Sequence, residues 1–331
     1  MGLRKQAARL GAVLVAGHIA LNAMGYASPR EAMGELFSPE RLVRMAVTME
    51  LGKPLTDTTI PPMPTVTVVT HTPPPSPTPT PRILDALIGG GIRIDNSTDY
   101  TIDTAQLLTE GPTQSLVKGQ PQILIIHTHS SEAYTMDDFD RYTPTDTTRT
   151  QDTKYNVIRV GDALTDALRE HGLEVIHDRS IYDYPSYTGS YTRTGEAIQQ
   201  YLEKYPSIAM VIDLHRDAIG SGDVVYKTLA EDEASPCAQT MFVVGTDDSG
   251  LEHPNWQENL KLALYLQAAV YTAHPTLQRP IKLVQERYNQ QLTTGSLILE
   301  VGSNGNTLAE ALNAIEFFAD AAGPALASLV K

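Results

Sequence analysis

The chain has 331 residues, with 25 Lys or Arg against 39 Asp or Glu, and a formal charge of −14 at pH 7. This balance argues against a nucleic-acid-binding protein, because neutralising phosphates requires a basic surface. A single cysteine, Cys237, excludes an internal disulfide framework and a metal site built from several cysteines. Histidines and carboxylates remain as candidate metal ligands.

The N-terminal segment has the pattern of an export signal. Three basic residues within the first nine positions precede an apolar stretch, residues 10–27. That stretch also contains a histidine and an asparagine, which makes it marginal for a helix that spans a membrane. Residues 1–27 therefore predict a signal peptide, cleaved after Ala27, or a membrane anchor. Both alternatives place the rest of the chain outside the cytoplasm.

A stalk and a linker are expected to follow. Residues 28–60 predict a stalk helix, with two Ser-Pro pairs suited to helix starts. Residues 61–82 are rich in Pro and Thr, which predicts an extended linker without a packed core. At ~3.1 Å per residue, the linker would reach on the order of 65 Å. The globular part of the chain would thus be held away from the membrane.

Strands and helices then alternate. We expect a short β-containing lead-in over residues 83–121 and a catalytic domain over 122–331. A continuous apolar run at 123–126 is typical of a strand buried on both faces. The remaining expected strands and helices, in chain order, are a helix from 157 ended by His171-Gly172, a strand at 173–176, a helix at 191–204, strands at 208–214 and 241–244, a helix at 256–272, a strand at 297–301, and a last helix up to about 329.

This alternation predicts the fold class. Strands that alternate with helices form α/β folds, in which helices cover both faces of the sheet. Thr307 followed by Glu310 is a capping box that opens the last helix. We therefore predict a mostly parallel mixed sheet flanked by helices on both faces and preceded by an extended linker.

Three predicted strands end in residues that can bind metal or move protons. His127, His129 and Glu132 follow the first strand, His215 ends the third, and Glu300 ends the last. Ligands of open α/β sheets bind beyond the carboxyl ends of the strands. Two histidines and a glutamate around one ion, with a separate carboxylate to take a proton from water, are typical of hydrolytic zinc sites. The alternative is that each histidine is a structural, hydrogen-bonded residue.

Five segments in order along the chain resemble the stage II sporulation protein P family of septal peptidoglycan hydrolases, which is related to zinc-dependent N-acetylmuramoyl-L-alanine amidases. They are ILIIHTHSSEAY, the stretch from NVIRVGD to YTGSY, VIDLHRDA, VVGTD with HPNWQENL, and LILEVGSNGNTLAEA. The resemblance runs from about Ile92 to the C-terminus. It implies an amidase-like fold and zinc-dependent cleavage of the amide between the muramic acid lactyl group and L-alanine. Cleavage of cross-linking stem peptides is a further implied activity.

The resemblance also implies roles for particular residues. Zinc would be bound by one histidine of the His127-Thr128-His129 segment, by Glu132 and by His215. Glu300 would be the catalytic carboxylate. We prefer His129 as the first ligand, because it lies in the turn just beyond the strand. His127 is the alternative ligand, or a residue that supports the ligands or contacts substrate.

Three further residues are candidates for contact with the substrate or the ligands. Arg216 and Asn304 lie close in sequence to His215 and Glu300. They could orient substrate or hold the catalytic carboxylate. For His177, at the end of the second predicted strand, the preferred interpretation is a structural hydrogen bond to Asp178 or to the backbone. A position at the rim of the cleft is the alternative.

The resemblance implies a setting and partners as well. The chain would work at the septal wall during sporulation, secreted or anchored to the membrane, with stage II sporulation proteins D and M as partners. Two alternatives remain for the function. One is a catalytically silent scaffold that binds cell wall, and the other is a zinc peptidase that acts on another peptide.

Overall fold

The computed structural model describes residues 82–83, 91–221, 224–231, 233 and 235–331. These residues belong to one compact unit, which spans residues 75–331. The predicted export segment, the stalk helix and, except for Arg82, the linker lie outside the described residues, so those interpretations stay predictions. No helix in the described part of the chain is both long and apolar enough to cross a membrane.

The described chain contains ten strands and five α-helices. The strands are β1 (Arg82–Ile83), β2 (Ile94–Asn96), β3 (Ile123–Ile126), β4 (Val175–His177), β5 (Met210–Asp217), β6 (Gly220–Ser221), β7 (Val224–Lys227), β8 (Thr240–Gly245), β9 (Ile281–Val284) and β10 (Ser296–Ser303). The helices are α1 (Thr104–Glu110), α2 (Val157–Glu170), α3 (Ser190–Lys204), α4 (Trp256–Ala273) and α5 (Leu308–Ala327), with a short 3-10 helix at Gln290–Leu292.

Seven strands form the main sheet in the order β2-β9-β8-β10-β5-β3-β4. The pairing of β8 with β10 is antiparallel, and the other five pairings are parallel. The sheet is therefore mixed and mostly parallel, as predicted. It consists of a block β10-β5-β3-β4 that runs one way and a block β8-β9-β2 that runs the other way. The carboxyl ends of β3, β5 and β10 lie at the same edge.

Helices cover both faces of this sheet, which confirms the prediction. The larger core lies between one face and α2, α4 and α5, and it takes Ile123 and Ile125 from β3. The intervening residues Leu124 and Ile126 point the other way, as the two-residue period of a strand requires, and pack with Ile198 of α3. On this second face α3 covers only the side of β3 and β5, so the face of β8, β9 and β10 is left to form the floor of a cleft.

Two sequence signals for helix ends are confirmed, His171-Gly172 and the capping box, and the structure adds a cap at Asn156 that was not predicted. The side chain of Asn156 accepts a hydrogen bond from the backbone of Ile158 at the start of α2, and His171 ends that helix before Gly172 in the left-handed region at φ 79°. At the start of α5, Thr307 and Glu310 form both bonds of the capping box.

Several elements were not predicted. They are α1, β9, the 3-10 helix and the small second sheet, in which β7 pairs with β1 and β6. Most of them have four residues or fewer, too short for a periodic pattern to stand out. The predicted ends of the longer strands differ from the observed ends by one to three residues.

Candidate active site

A cleft of about 310 Å³ opens at the edge of the sheet where β5 and β10 end. It is lined by His129, Glu132, Tyr187, Tyr191, His215, Arg216, Asp217, Ala218, Met241, Val243, Lys282, Val284, Tyr288, Ile298 and Glu300. The four residues expected to form the centre of the site, with His129 as the first ligand, are all in this lining. Three separate segments of the chain supply them.

The turn after β3 brings His129 and Glu132 to the cleft. The backbone N–H of Glu132 donates to the carbonyl of His129 at 3.0 Å, which closes the turn. Ser131 fixes it from behind, because its N–H and its hydroxyl both donate to the carboxylate of Asp183, at 3.0 and 2.7 Å. The hydroxyl of Ser130 donates to the carbonyl of His127 at 2.6 Å. The turn is therefore held by hydrogen bonds of its own serines.

Glu132 and His215 lie at the spacing expected of two ligands of one ion. Oε2 of Glu132 is 3.3 Å from Nδ1 of His215. Donors at ~2.0–2.1 Å from a tetrahedral zinc ion lie about 3.3 Å from each other. The other ring nitrogen of His215, Nε2, is 2.9 Å from Oδ1 of Asp213. A carboxylate behind a histidine is the arrangement that orients histidine ligands in metal sites.

His129 occupies the same cleft but its ring nitrogens face hydroxyl groups. Nε2 is 3.0 Å from the hydroxyl of Tyr187, and Nδ1 is 3.4 Å from the hydroxyl of Ser190. The ring stacks on Tyr187, with centroids 4.4 Å apart, and its centroid is 5.2 Å from that of His215. Among the described residues, no three His, Cys, Asp or Glu side chains are close enough together to form a ready metal-binding group. The donor types fit zinc, and two of the three already lie at the right spacing.

Arginines keep Glu132 ionised. Burial alone would raise the pKa of Glu132, but Arg216 and His215 outweigh it and lower this pKa to about 2. Nη1 of Arg216 lies 3.7 Å from Oε1, while Nη2 of Arg149 lies 3.3 Å from the same oxygen. Arg216 also donates from Nε to the carbonyl of Ala133 at 2.9 Å. Arg216 is thus buried and contacts the turn that carries His129 and Glu132.

Glu300 has the opposite electrostatic environment. It is the direct cross-strand partner of His215 on one side and of Met241 on the other. Its Oε2 is buried and has no hydrogen-bond partner among the described residues. Burial raises the pKa of Glu300 to about 8, against the opposing effect of the nearby His215. A carboxyl group that keeps its proton near neutral pH is suited to exchange protons with a reacting group.

His127 and His177 lie together, away from the cleft. His127 continues the alternation of β3 onto the face covered by α2, where its Nδ1 is 2.8 Å from the carbonyl oxygen of Leu214. The Nε2 atoms of the two histidines are 2.8 Å apart. Nδ1 of His177 is 3.2 Å from Oδ1 of Asp162. The side-chain partners of His177 are therefore His127 and Asp162, and not Asp178 or the backbone as predicted.

Asn304 holds the loops beside the cleft and is not part of its lining. Its side-chain Oδ1 accepts from the N–H of Ile219 at 3.2 Å, and its own N–H donates to the carbonyl of Asp217 at 2.8 Å. Arg216, in contrast, does line the cleft.

Several residues of the site were not singled out from the sequence. Asp213 precedes His215 by two positions on β5, so the two-residue period of a strand places both on one face, and that signal was available. Tyr187 lies in the loop before α3 and Tyr191 in the first turn of that helix, while Tyr288 comes from a loop where its φ is 45°. No sequence pattern connects Tyr288 with the cleft.

Comparison with known proteins identifies the family. The family model "Stage II sporulation protein P (SpoIIP)" matches residues 92–323. The chain belongs to the stage II sporulation protein P family. It is 26% identical over 234 residues to the Stage II sporulation protein P of Bacillus subtilis (strain 168), and the match covers 66% of this chain and 53% of the relative. The chain thus spans about half the length of that curated relative.

Solved structures with some likeness to this fold include several amidases. The CwlD amidase from Clostridioides difficile matches with a TM-score of 0.39 and 12% identity, over 63% of this chain and 98% of that one. The N-acetylmuramyl-L-alanine amidase Ami1 from Mycobacterium abscessus matches with a TM-score of 0.38 and 12% identity, over 64% and 99%. Likeness at this level carries no conclusion about activity.

Proposed function

We propose that this protein is a zinc-dependent peptidoglycan hydrolase that cleaves the amide between the muramic acid lactyl group and L-alanine. The observation that carries the proposal is the position of Glu300, whose carboxyl group has a raised pKa, on the strand next to His215 and in register with it. Nδ1 of His215 in turn lies 3.3 Å from Oε2 of Glu132. Membership of the stage II sporulation protein P family supports the choice of substrate.

His129, Glu132 and His215 would hold the zinc ion. Bound zinc would supply a water of lowered pKa and a positive charge that polarises the amide carbonyl. Two of these residues already have the surroundings of a ligand: Glu132 is ionised, and Nε2 of His215 lies 2.9 Å from the carboxylate of Asp213. For His129, the hydroxyl of Tyr187 can accept the proton of Nε2, which leaves Nδ1, 3.4 Å from the hydroxyl of Ser190, as the unprotonated nitrogen for the ion.

Glu300 would move the proton during the reaction. Glu300 would be ionised when the site is loaded, because a nearby positive charge lowers the pKa of a carboxyl group. The carboxylate then accepts a proton from the attacking water as the oxygen bonds to the amide carbon. When the C–N bond breaks, the same proton passes from Glu300 to the leaving nitrogen of L-alanine. The carboxylate is thereby regenerated.

The setting is part of the proposal. The protein would act outside the cytoplasm at the septal wall during sporulation, with stage II sporulation proteins D and M as partners. Because the chain carries a formal charge of −14, electrostatic attraction would not draw it to a wall that contains acidic groups. An N-terminal anchor or these partners would bring it there.

The test is digestion of purified peptidoglycan by the full-length protein, with mass spectrometry of the released fragments and zinc content measured by elemental analysis. We expect about one zinc per chain and fragments with a free L-alanine amino group. Glu300→Gln should keep the zinc and lose the activity, while Glu196→Gln, an exposed change on α3, should keep both. A zinc-free protein that digests wall normally despite Glu300→Gln would contradict the proposal. Wall binding without fragments would favour a scaffold, and cuts only within stem peptides would favour a peptidase.

A further inference from the structure

The floor of the cleft beyond Glu300 is a strip of apolar side chains. Met241 and Val243 of β8, Val284 of β9 and Ile298 of β10 form a small hydrophobic cluster, with Tyr288 packed against it. This is the part of the second sheet face that α3 does not cover. All five residues line the cleft that holds the proposed catalytic group.

Lys282 lies at the far side of this strip. It is the register partner of Val243, which in turn is the register partner of Ile298, so the three form one row across three neighbouring strands. Glu300 and Met241 form the next row. With strands ~4.8 Å apart and a rise of ~3.3 Å per residue, the Cα atoms of Lys282 and Glu300 are about 12 Å apart.

Lys282 is the cationic side chain of this cleft that is available to pair with a ligand. Apart from its two histidines, the lining contains one lysine and one arginine, and Arg216 is buried and engaged with Glu132 and the carbonyl of Ala133. Lys282 is exposed and has no carboxylate within ion-pair distance among the described residues. Its register neighbour on the outer side is Asp95 of β2, which does not form an ion pair with it.

The length of an extended peptide matches this arrangement. Two residues span about 7 Å, and the flexible four-carbon side chain of a lysine covers the rest of a 12 Å separation. A narrow strip of four apolar side chains suits the methyl groups of a lactyl–alanine segment better than a sugar covered with hydroxyls. The peptide side of the substrate therefore fits the strip, and its second residue falls within reach of Lys282.

We infer that Lys282 selects substrates with a free carboxylate two residues beyond the scissile amide, on the peptide side. The inference rests on the proposed function and adds a specificity-determining residue to it. The apolar strip would bind the methyl groups, and the ammonium group would pair with the carboxylate. In peptidoglycan, the second stem residue is a glutamate whose α-carboxyl is either free or amidated. The protein should therefore distinguish these two kinds of wall.

The test compares two synthetic muropeptides that differ only in this α-carboxyl, free or amidated, with the full-length zinc-loaded protein. We expect kcat/KM to favour the free acid by about three- to tenfold, mainly through KM, because the pair is partly exposed. Lys282→Gln should bring the ratio to about one by slowing cleavage of the free acid alone. Lys282→Arg should retain the preference, and Asp95→Asn should increase it by removing a competing negative charge.

The control is Lys118→Gln, an exposed lysine just before β3 at the opposite end of the sheet, which should leave the ratio unchanged. An unaltered preference in Lys282→Gln, or no preference in the native protein, would overturn the inference. Failure to cleave either muropeptide would instead contradict the proposed function. In that case, calorimetric binding of the two muropeptides to the native protein and to Lys282→Gln still decides the inference, since the same difference in affinity is expected without catalysis.

Discussion

Asp213 Oδ1 lies 2.9 Å from Nε2 of His215, while the opposite ring nitrogen of His215 faces Glu132 at 3.3 Å. One imidazole thus links a buried carboxylate behind it with a carboxylate in the cleft. Asp213 is itself held by Thr128, whose N–H and hydroxyl donate to its two oxygens at 2.8 and 2.6 Å. The turn that carries the other two proposed ligands thus fixes the carboxylate that lies behind His215.

Loss of the Asp213 carboxylate should therefore weaken zinc binding. In Asp213→Asn the side chain keeps its size but loses the charge that fixes the ring of His215, and we expect zinc affinity to fall by about 10- to 100-fold. Competition with a chromophoric chelator measures this affinity. Asp166→Asn, on the exposed side of α2, is the matched control. Unchanged affinity in Asp213→Asn would show that His215 is oriented in another way.

The hydroxyl of Tyr187 should also support zinc binding. If it accepts the proton of Nε2 on His129, Tyr187→Phe removes that acceptor and lowers zinc affinity by up to about tenfold. Tyr184→Phe removes a hydroxyl from an exposed side chain in the same loop and should have no effect. A gain in affinity in Tyr187→Phe would mean that Nε2, and not Nδ1, is the nitrogen that binds.

Glu300 should make the metal-free protein less stable as pH rises. Its pKa in the folded state is about 8, whereas a glutamate in an unfolded chain has a pKa of ~4.3, so the folded state keeps a proton that the unfolded state has lost. Stability from this group is therefore full below pH ~4.3 and is lost as pH rises toward 8. Glu300→Gln should remove this loss and stabilise the metal-free protein at pH 8 by about 2 kcal/mol, after allowance for partial exposure.

Urea unfolding with chelator at pH 5 and pH 8 measures the effect. Glu196→Gln should leave the difference between the two pH values as it is in the native protein. If the native protein and Glu300→Gln lose stability equally between pH 5 and pH 8, Glu300 is not the group responsible.

Gly161 should be required for stability and not for the metal site. A Cβ atom at this position of α2 would lie 2.6 Å from Nε2 of His127 and 2.7 Å from Nε2 of His177. Gly161→Ala must displace the histidine pair, and we expect a loss of about 1–3 kcal/mol in the free energy of unfolding. Zinc stoichiometry should stay near that of the native protein. Ala163→Ser, partly exposed on the same helix, should change stability by no more than about 0.5 kcal/mol.

Much of the fold follows from local signals in the sequence. The buried run at 123–126, the end of α2 at His171-Gly172 and the capping box of Thr307 and Glu310 each depend on neighbouring residues, and each is observed as expected. The direction of β8 does not follow in this way. A strand that pairs antiparallel with β10 has the same apolar run as a parallel one, and only the path of the chain decides its direction.

The candidate site was predictable to a similar extent. Strand ends brought Glu132, His215 and Glu300 to one edge, because parallel neighbours share that edge. The separation of His127 from His129 depends on where β3 stops: His127 still follows the alternation of the strand, and the turn redirects His129. The tyrosines beside His129 come from α3 and the loop before it, and Tyr288, which packs against Tyr191, comes from a distant loop. Their approach is a property of tertiary packing.

The antiparallel pairing of β8 with β10 divides the main sheet into two blocks with different proposed tasks. Every proposed zinc ligand and the proton-transfer group belong to the block β10-β5-β3-β4, whereas most of the cleft floor and Lys282 belong to the block β8-β9-β2. Bond breaking and substrate choice would then reside in separate halves of one sheet. Changes in β8 and β9 could then adapt the proposed hydrolase to walls of different composition while the proposed catalytic groups stay as they are.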